Sequence, residues 1–438
     1  MKHRVIRRAV AMVVALVALN VVAAQTTVDF WYAFSDEPRS TWIQDRIDEF
    51  NTQLSEEGRD FQVAGERQGS YREALEAAVL AARQGDPPHL VQLFEVGSQL
   101  AVDAGIFEPI GNLGGIEADS YIESVINYYT IGGEVNSIPF NSSSPILYGN
   151  VQLMEEAGLD PSAMPETYGE LLEACAALEE AGVDAACITF PLHSWFFEQW
   201  MAEQGALLAN NENGRADRAT EVLLDSEAAL RIGQFMKDLA DGGYYSYTGT
   251  LEDWSGSEAI FGNQESVFFI TSTADAGNIT SAATETGFDV VTGLLPIPDG
   301  VERNGVVIGG ASLWLLKDNP AEELEVARDF ALYMTNAENM VSWHELTGYY
   351  PVRTESVDML ESEGWFEENP NFSTAFDQLL ETQANPATAG ALLGSFLDTR
   401  TIIGEALQKI YNGAEVEAAM SEAKRLADAR LQEYNSNF

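Results

Sequence analysis

The stretch Ser137–Asn150 reads SIPFNSSSPILYGN. Two apolar segments, Ile138–Phe140 and Pro145–Tyr148, enclose four small polar residues: Asn141, Ser142, Ser143 and Ser144. A plain surface turn does not need three consecutive hydroxyls between apolar runs. The organisation of the chain therefore turns on what those hydroxyls face.

On the N-terminal side, strand and helix patterns alternate. Thr26–Phe34 carries Val28, Phe30 and Tyr32 in period-two alternation and predicts a strand. A helix is expected from about Pro38 to Asn51, with Ile43, Ile47 and Phe50 on one face. DFQVAGE predicts a second strand. Ser70-Tyr71-Arg72-Glu73 is a capping box, opening a helix that stops near Gly85. A third strand, Leu90–Phe94, is followed by Glu95. On the C-terminal side the theme repeats. Thr167 and Glu170 form another capping box, a tryptophan-rich helix follows in SWFFEQWMAEQG, and a strand runs into a helix start near Ser272. NGVVIGGASLWLL predicts a further strand, and the C-terminal quarter reads as helical. Such alternation with short loops is the signature of a mainly parallel α/β sheet covered by helices, which takes ligands beyond the carboxyl ends of its strands.

The 438 residues allow two or three domains, and 46% hydrophobic content supports packed cores. The chain opens on Lys2, Arg4, Arg7 and Arg8, then an almost wholly apolar run from Ala9 to Val22, then Val22-Ala23-Ala24. This predicts a secretory signal over residues 1–24, cleaved after Ala24. The apolar run is shorter than the ~20 residues a spanning helix needs. The expected product is periplasmic. Loss of four basic residues takes the net charge four units down, from −46 to −50. That charge argues against nucleic acid and anionic membrane surfaces as partners. Cys175 and Cys187 are the two cysteines. An oxidising compartment favours a disulfide between them, with two buried thiols as the alternative.

No phosphate loop, no G-x-G-x-x-G after a strand and no G-x-S-x-G elbow occurs. His89, His193 and His344 lack metal-ligand spacing, so no metal or cofactor is expected. Aromatic, hydroxyl and glycine residues instead gather at junctions between elements: Tyr71, Ser142–Ser144, Trp195, Ser272, Gly309-Gly310, Tyr349-Tyr350, with one basic residue, Arg400. Rings grip a polyol skeleton or cover an ammonium group, while hydroxyls and a guanidinium hold anionic oxygens. This is a binding inventory without an evident nucleophile.

GSYREAL, LVQLFEVG, IPFNSSSPILYGN, EAGLDPSAMPETYGEL, VVIGGASLWLL and WHELTGYYPV together resemble the solute-binding components of carbohydrate-type ABC importers, in the branch that binds glycerol-3-phosphate. The resemblance implies the type II two-lobed periplasmic-binding-protein fold, with crossover hinge strands between mainly parallel sheets. One lobe would comprise 25–140 with 274–333, the other 141–273 with 334–438. It implies ligand contacts from Tyr71, Glu95, Ser143, Trp195, Ser272, Gly310, Tyr349 and Arg400, the last on a phosphate, and makes the opening stretch a crossover whose hydroxyls face the cleft. Leu192 stands where near relatives carry a second tryptophan. The implied ligand is glycerol-3-phosphate or a glycerophosphodiester such as glycerophosphocholine. For the diester, charge alone would set the phosphate near Arg400 and Ser272 and the ammonium near Glu95 and aromatic rings, the alternative being that Glu95 accepts hydrogen bonds from glycerol hydroxyls. The implied partner is a membrane permease with a separate ATPase, served by a monomer. A neutral di- or oligosaccharide is the alternative ligand. A secreted glycosidase would need two carboxylates about 5–10 Å apart, and only Glu95 can be named.

Overall fold

The computed structural model describes residues 25–438, so the expected signal segment lies outside the described residues. Two mixed sheets organise the chain. The first has strand order β2-β1-β3-β10-β4, built from β1 (Thr26–Tyr32), β2 (Phe61–Arg67), β3 (Leu90–Phe94), β4 (Phe107–Glu108) and β10 (Gly309–Leu316). A sixth strand, β5 (Ile138–Ser143), pairs with β10 off that path. The second has order β9-β6-β8-β7, from β6 (Pro145–Asn150), β7 (Ala186–Thr189), β8 (Ser266–Ser272) and β9 (Val290–Gly293).

The sheets are less parallel than the alternation predicts. In the first, β1 runs parallel to β2 and β3, while β10 is antiparallel to β3, β4 and β5. In the second, only β7 and β8 run parallel. The chain leaves each sheet and returns, and the returning strands enter against the grain. The segment 274–333, expected to lie wholly in one lobe, contributes to both sheets: β9 pairs with β6 in the second and β10 joins the first.

The opening stretch is the crossover. β5 belongs to the first sheet and β6 to the second, and only Ser144 stands between them. Every residue of both strands is buried, which explains the apolar runs: covered on both faces, they need no polar alternation. Ile146 and Tyr148 pack into the core around the first sheet, Leu147 into that of the second. The Ser144 hydroxyl does not face the cleft. It meets the Tyr350 hydroxyl and accepts from Gln378 Nε2 at 2.9 Å.

A second crossing, from β9 to β10, is braced by the helix Ser194–Glu203, whose ten residues are all buried. Gln199 donates to Val307 O at 2.7 Å and accepts from Val307 N at 3.0 Å, like a strand partner. Glu203 pairs with Arg303 at 2.8 Å and accepts from Gly305 N at 3.2 Å.

Local signals read from sequence appear where expected. Both capping boxes form, at Ser70 with Glu73 and at Thr167 with Glu170. No helix among the described residues is long and apolar enough to cross a membrane. Cys175 and Cys187 are joined, Cα–Cα 5.1 Å, tying the helix Tyr168–Ala181 to β7. Closing so short a loop restricts the unfolded chain by about 3 kcal/mol. Reduction, or the double substitution Cys175→Ser with Cys187→Ser, is expected to lower the urea midpoint by a corresponding amount. An unchanged midpoint would deny the bridge a stabilising role.

Candidate ligand-binding cleft

A cavity of about 520 Å³ opens between the two sheets. Tyr71, Glu95, Ser143, Trp195, Ser272, Gly310, Tyr349 and Arg400 all line it, although they span most of the chain. All but Arg400 arrive at or next to the end of an element. Tyr71 opens the helix Tyr71–Gln84 behind its Ser70 cap. Glu95 follows β3, Ser143 ends β5 and Ser272 ends β8. Ser272 caps a single 3₁₀ turn, accepting from Ala274 N at 3.1 Å. Gly310 holds φ +115°, and a Cβ there would collide with the Asn141 carbonyl oxygen. Only glycine lets β10 approach the crossover so closely.

One lobe supplies a wall of rings. Tyr71 stacks on Phe94 at 5.7 Å and Tyr349 on Trp343 at 5.6 Å. The Tyr71 hydroxyl accepts from Asn141 Nδ2 at 2.9 Å, and Asn141 Oδ1 accepts from Gln92 at 2.7 Å. Burial pushes both tyrosine hydroxyls up, so they remain protonated donors. Of the three consecutive serines Ser142–Ser144, only Ser143 lines the cavity. Ser142 Oγ is buried without a partner.

Arg400 sits in the helix Phe396–Tyr411 and is 9% exposed. Its Nε donates to Glu198 Oε1 and its Nη2 to Glu198 Oε2, each at 2.7 Å. Nη2 also donates to Glu95 Oε1 at 2.7 Å. Glu95 Oε2 in turn accepts from Gly310 N at 3.2 Å. Burial opposes the guanidinium charge, but Glu198 and Glu95 outweigh it and hold its pKa above the ordinary arginine value. Burial pushes the Glu95 carboxyl up, with Arg400 pulling against it. Glu95 and Arg400 therefore share one ion pair and cannot mark opposite ends of a ligand, as a phosphate near one and an ammonium near the other would require. Among the described residues, Arg400 Nη1 alone of its nitrogens makes no hydrogen bond.

Several residues in or directly behind the lining escaped the sequence reading. Glu198 is a carboxylate inside the aromatic run SWFFEQW, where an unpaired charge would be costly. That was the available signal. Arg39 lies over the Tyr349 ring at 5.4 Å and pairs with Asp275 at 3.3 Å. Leu192 is buried in the core and absent from the cavity lining. A second indole comes instead from Trp254, whose ring centroid lies 6.0 Å from that of Trp195. Gly309 admits the Trp195 ring, since a Cβ there would fall 2.6 Å from it.

His193 caps the helix Ser194–Glu203 through its ring. Nδ1 accepts from Trp195 N at 2.9 Å, so the proton belongs on Nε2. Burial and the Arg400 charge lower its pKa to about 3. His344 donates from Nδ1 to the Tyr349 carbonyl at 2.8 Å, leaving Nε2 buried without a partner, and burial lowers its pKa to about 4.

The family model described as "Bacterial extracellular solute-binding protein" matches residues 45–374. The chain belongs to this family. The sn-glycerol-3-phosphate-binding periplasmic protein UgpB of Yersinia pseudotuberculosis is 28% identical over 425 residues, covering 94% of this chain and 93% of the relative. Its namesake from Salmonella typhimurium is 27% identical over 400 residues, 89% of each chain. Among solved structures, UgpB from Mycobacterium tuberculosis in complex with glycerophosphocholine superposes with TM-score 0.78 at 22% identity, covering 93% of this chain and 99% of that one. The GacH receptor of Streptomyces glaucescens gives TM-score 0.76 at 18% identity, over 94% and 99%. The shared architecture is the two-lobed fold of periplasmic binding proteins.

Two outcomes follow from this geometry. Glu198→Ala leaves a buried guanidinium short of two hydrogen bonds and is expected to cost about 3 kcal/mol in urea unfolding. A cost near zero would place Glu198 outside the network. Both histidines are neutral in the fold and take a proton readily only when unfolded. Their contribution to stability is therefore full above the ordinary value near 6.5 and is lost as pH falls towards 4 and 3, by up to about 1.4 kcal/mol per pH unit each. Ring resonances of His193 and His344 that stay neutral through pH 5 would agree. Titration near 6.5 would not.

Proposed function

We propose that this protein is the substrate-binding component of an ABC importer. It captures glycerol-3-phosphate or a glycerophosphodiester in the cleft and delivers it to a membrane permease that works with a separate ATPase subunit. The protein acts in the periplasm as a monomer, after cleavage of the export signal behind Ala24. The proposed lobes are 25–140 with 274–333 and 141–273 with 334–438, with β9 laid on the second sheet.

The observation that carries this reading is the convergence of the eight residues on one cavity between two sheets. The unengaged polar capacity there suits a phosphorylated polyol: the Tyr71, Tyr349, Ser143 and Ser272 hydroxyls and Arg400 Nη1. Ligand bridging both lobes would stabilise the closed form over the open one, and the permease can read that difference. The names borne by the relatives from Yersinia and Salmonella support the same ligand class. A role without catalysis fits as well. Glu95, the carboxylate a glycosidase reading could name, is engaged by Arg400.

Titration calorimetry against glycerol-3-phosphate, glycerophosphocholine and maltose tests the reading. At least one phosphorylated ligand should bind and maltose should not. Binding of maltose alone would move the protein to the sugar-binding alternative. Ser143→Ala with Tyr349→Phe is the informative variant, because Arg400→Ala would leave two buried carboxylates unpaired and threaten the fold. Loss of two hydrogen bonds to a charged ligand should weaken binding by roughly a hundredfold or more.

A further inference from the structure

Away from the cleft, one loop of the second lobe grips two helices of the first. Asp103 lies in the last turn of the helix Ser98–Ala104, whose Ala101 packs into a core on the first sheet. Its side chain is 6% exposed. Arg218 Nη1 donates to Asp103 Oδ2 and Nη2 to Oδ1, each at 2.8 Å. The Tyr434 hydroxyl donates to Oδ2 at 2.9 Å from the C-terminal helix Val416–Asn435. Arg215, on the same loop as Arg218, donates from Nε to Gly390 O at 2.7 Å and from Nη2 to Tyr128 O at 3.3 Å. Its guanidinium also lies 5.2 Å over the ring of Tyr128, in the helix Glu123–Tyr129. Ala219 and Leu431 belong to the core of the second sheet. Arg218 and Tyr434 are thus anchored in one lobe, Asp103 and Tyr128 in the other.

Neither Asp103, Arg215, Arg218 nor Tyr434 lines the cleft. A crossing segment stands between. Gly310 lines the cleft, while Val307 and Ile308 line a second, small cavity together with Tyr128 and Gly390, the residues that Arg215 holds. The grip therefore lies behind the crossing and the cleft in front of it. We infer that the Asp103–Arg218 pair, steadied by Tyr434, is a latch between the lobes that favours the open cleft, so that residues which never touch the ligand set its affinity. Rotation about the crossing strands that narrows the front widens the rear. A bidentate pair tolerates little stretch, since its hydrogen bonds are lost beyond about 3.5 Å. Closure breaks it, and the closed, ligand-holding state is less populated while it stands. The contact is polar, and a gap of about 260 Å³ lies beside it, lined by Gln99, Gly132, Arg215 and Arg218 among others. Guanidinium and carboxylate regain water when they part, whereas an apolar seam would resist parting. The inference takes from the functional reading only that the lobes close on a ligand, and it goes beyond the ligand's identity.

The first test needs no ligand. The described residues include no free cysteine, so Glu76→Cys with Ser255→Cys places spin labels at two exposed positions, one on each helix that brings Tyr71 or Trp254 to the cleft. Adding Arg218→Ala should shift the ligand-free distances between the labels towards shorter values. An unchanged distribution, or a shift to longer distances, would overturn the latch. The second test is calorimetry with glycerol-3-phosphate, glycerophosphocholine and maltose. Each probe that the wild type binds should bind Arg218→Ala at least threefold more tightly, all by the same factor. Unchanged or weaker binding would also overturn the proposal. A pair that merely supported the fold would lower affinity and urea midpoint together, whereas removing a latch raises the first and lowers the second. If the wild type binds none of the probes, the functional reading falls, and the label distances still decide the latch. Tyr434→Phe keeps the ion pair and removes one hydroxyl, and it should act in the same direction with a smaller effect. Should Arg218→Ala fail to fold, Tyr434→Phe decides the matter, and its lack of effect would overturn the latch.

Discussion

A guanidinium withdrawn from water between two carboxylates sets the terms for the rest of the cleft. Arg400 is held by Glu198 on a helix packed against the second sheet and by Glu95 at the end of a first-sheet strand. An ion pair of this kind adds little net stability over an apolar replacement, because desolvation offsets the Coulomb attraction. What it imposes is position. With one partner missing, a buried charge stands alone, so the three side chains hold one another and the elements that carry them. Glu95 extends the chain of contacts to the Gly310 amide, and Gly310 touches the crossover at Asn141.

The helix Ser194–Glu203 shows the same constraint along a single element. It has no exposed face, yet Glu198, Gln199 and Glu203 lie within it. Each buried polar group needs a partner, and each partner is a different part of the binding apparatus. Glu198 takes Arg400, Gln199 takes the Val307 backbone, and Glu203 takes Arg303 and Gly305. Polar satisfaction thus couples the ligand wall to the segment that crosses between sheets. Trp195, which lines the cavity, lies four residues from Gln199 on the same helix.

The cleft itself divides the labour between neutral donors and aromatic walls. Tyrosine and serine hydroxyls remain protonated and available, while most of the charge is compensated inside the protein. Arg39 and Arg400 are paired with carboxylates there, while Arg72 lines the cavity without an ion pair among the described residues.

Much of the architecture was legible along the chain. Capping boxes at Ser70 and Thr167, strand alternation from Val28 to Tyr32 and the apolar flanks of the opening stretch act within a few residues, so their physics is written locally. The resemblance to solute-binding proteins added the eight cleft positions, and all eight line one cavity. The pairing of Glu95 and Glu198 with Arg400, the arrival of Trp254 beside Trp195, the antiparallel return of β10 and the inward turn of Ser144 toward Tyr350 were not legible. Each depends on distances between residues far apart in sequence, which are set only when the crossing strands bring two sheets together. Local propensity is a property of neighbouring atoms along the chain. The pairing of a buried charge is a property of the folded volume, and only the tertiary structure decides it.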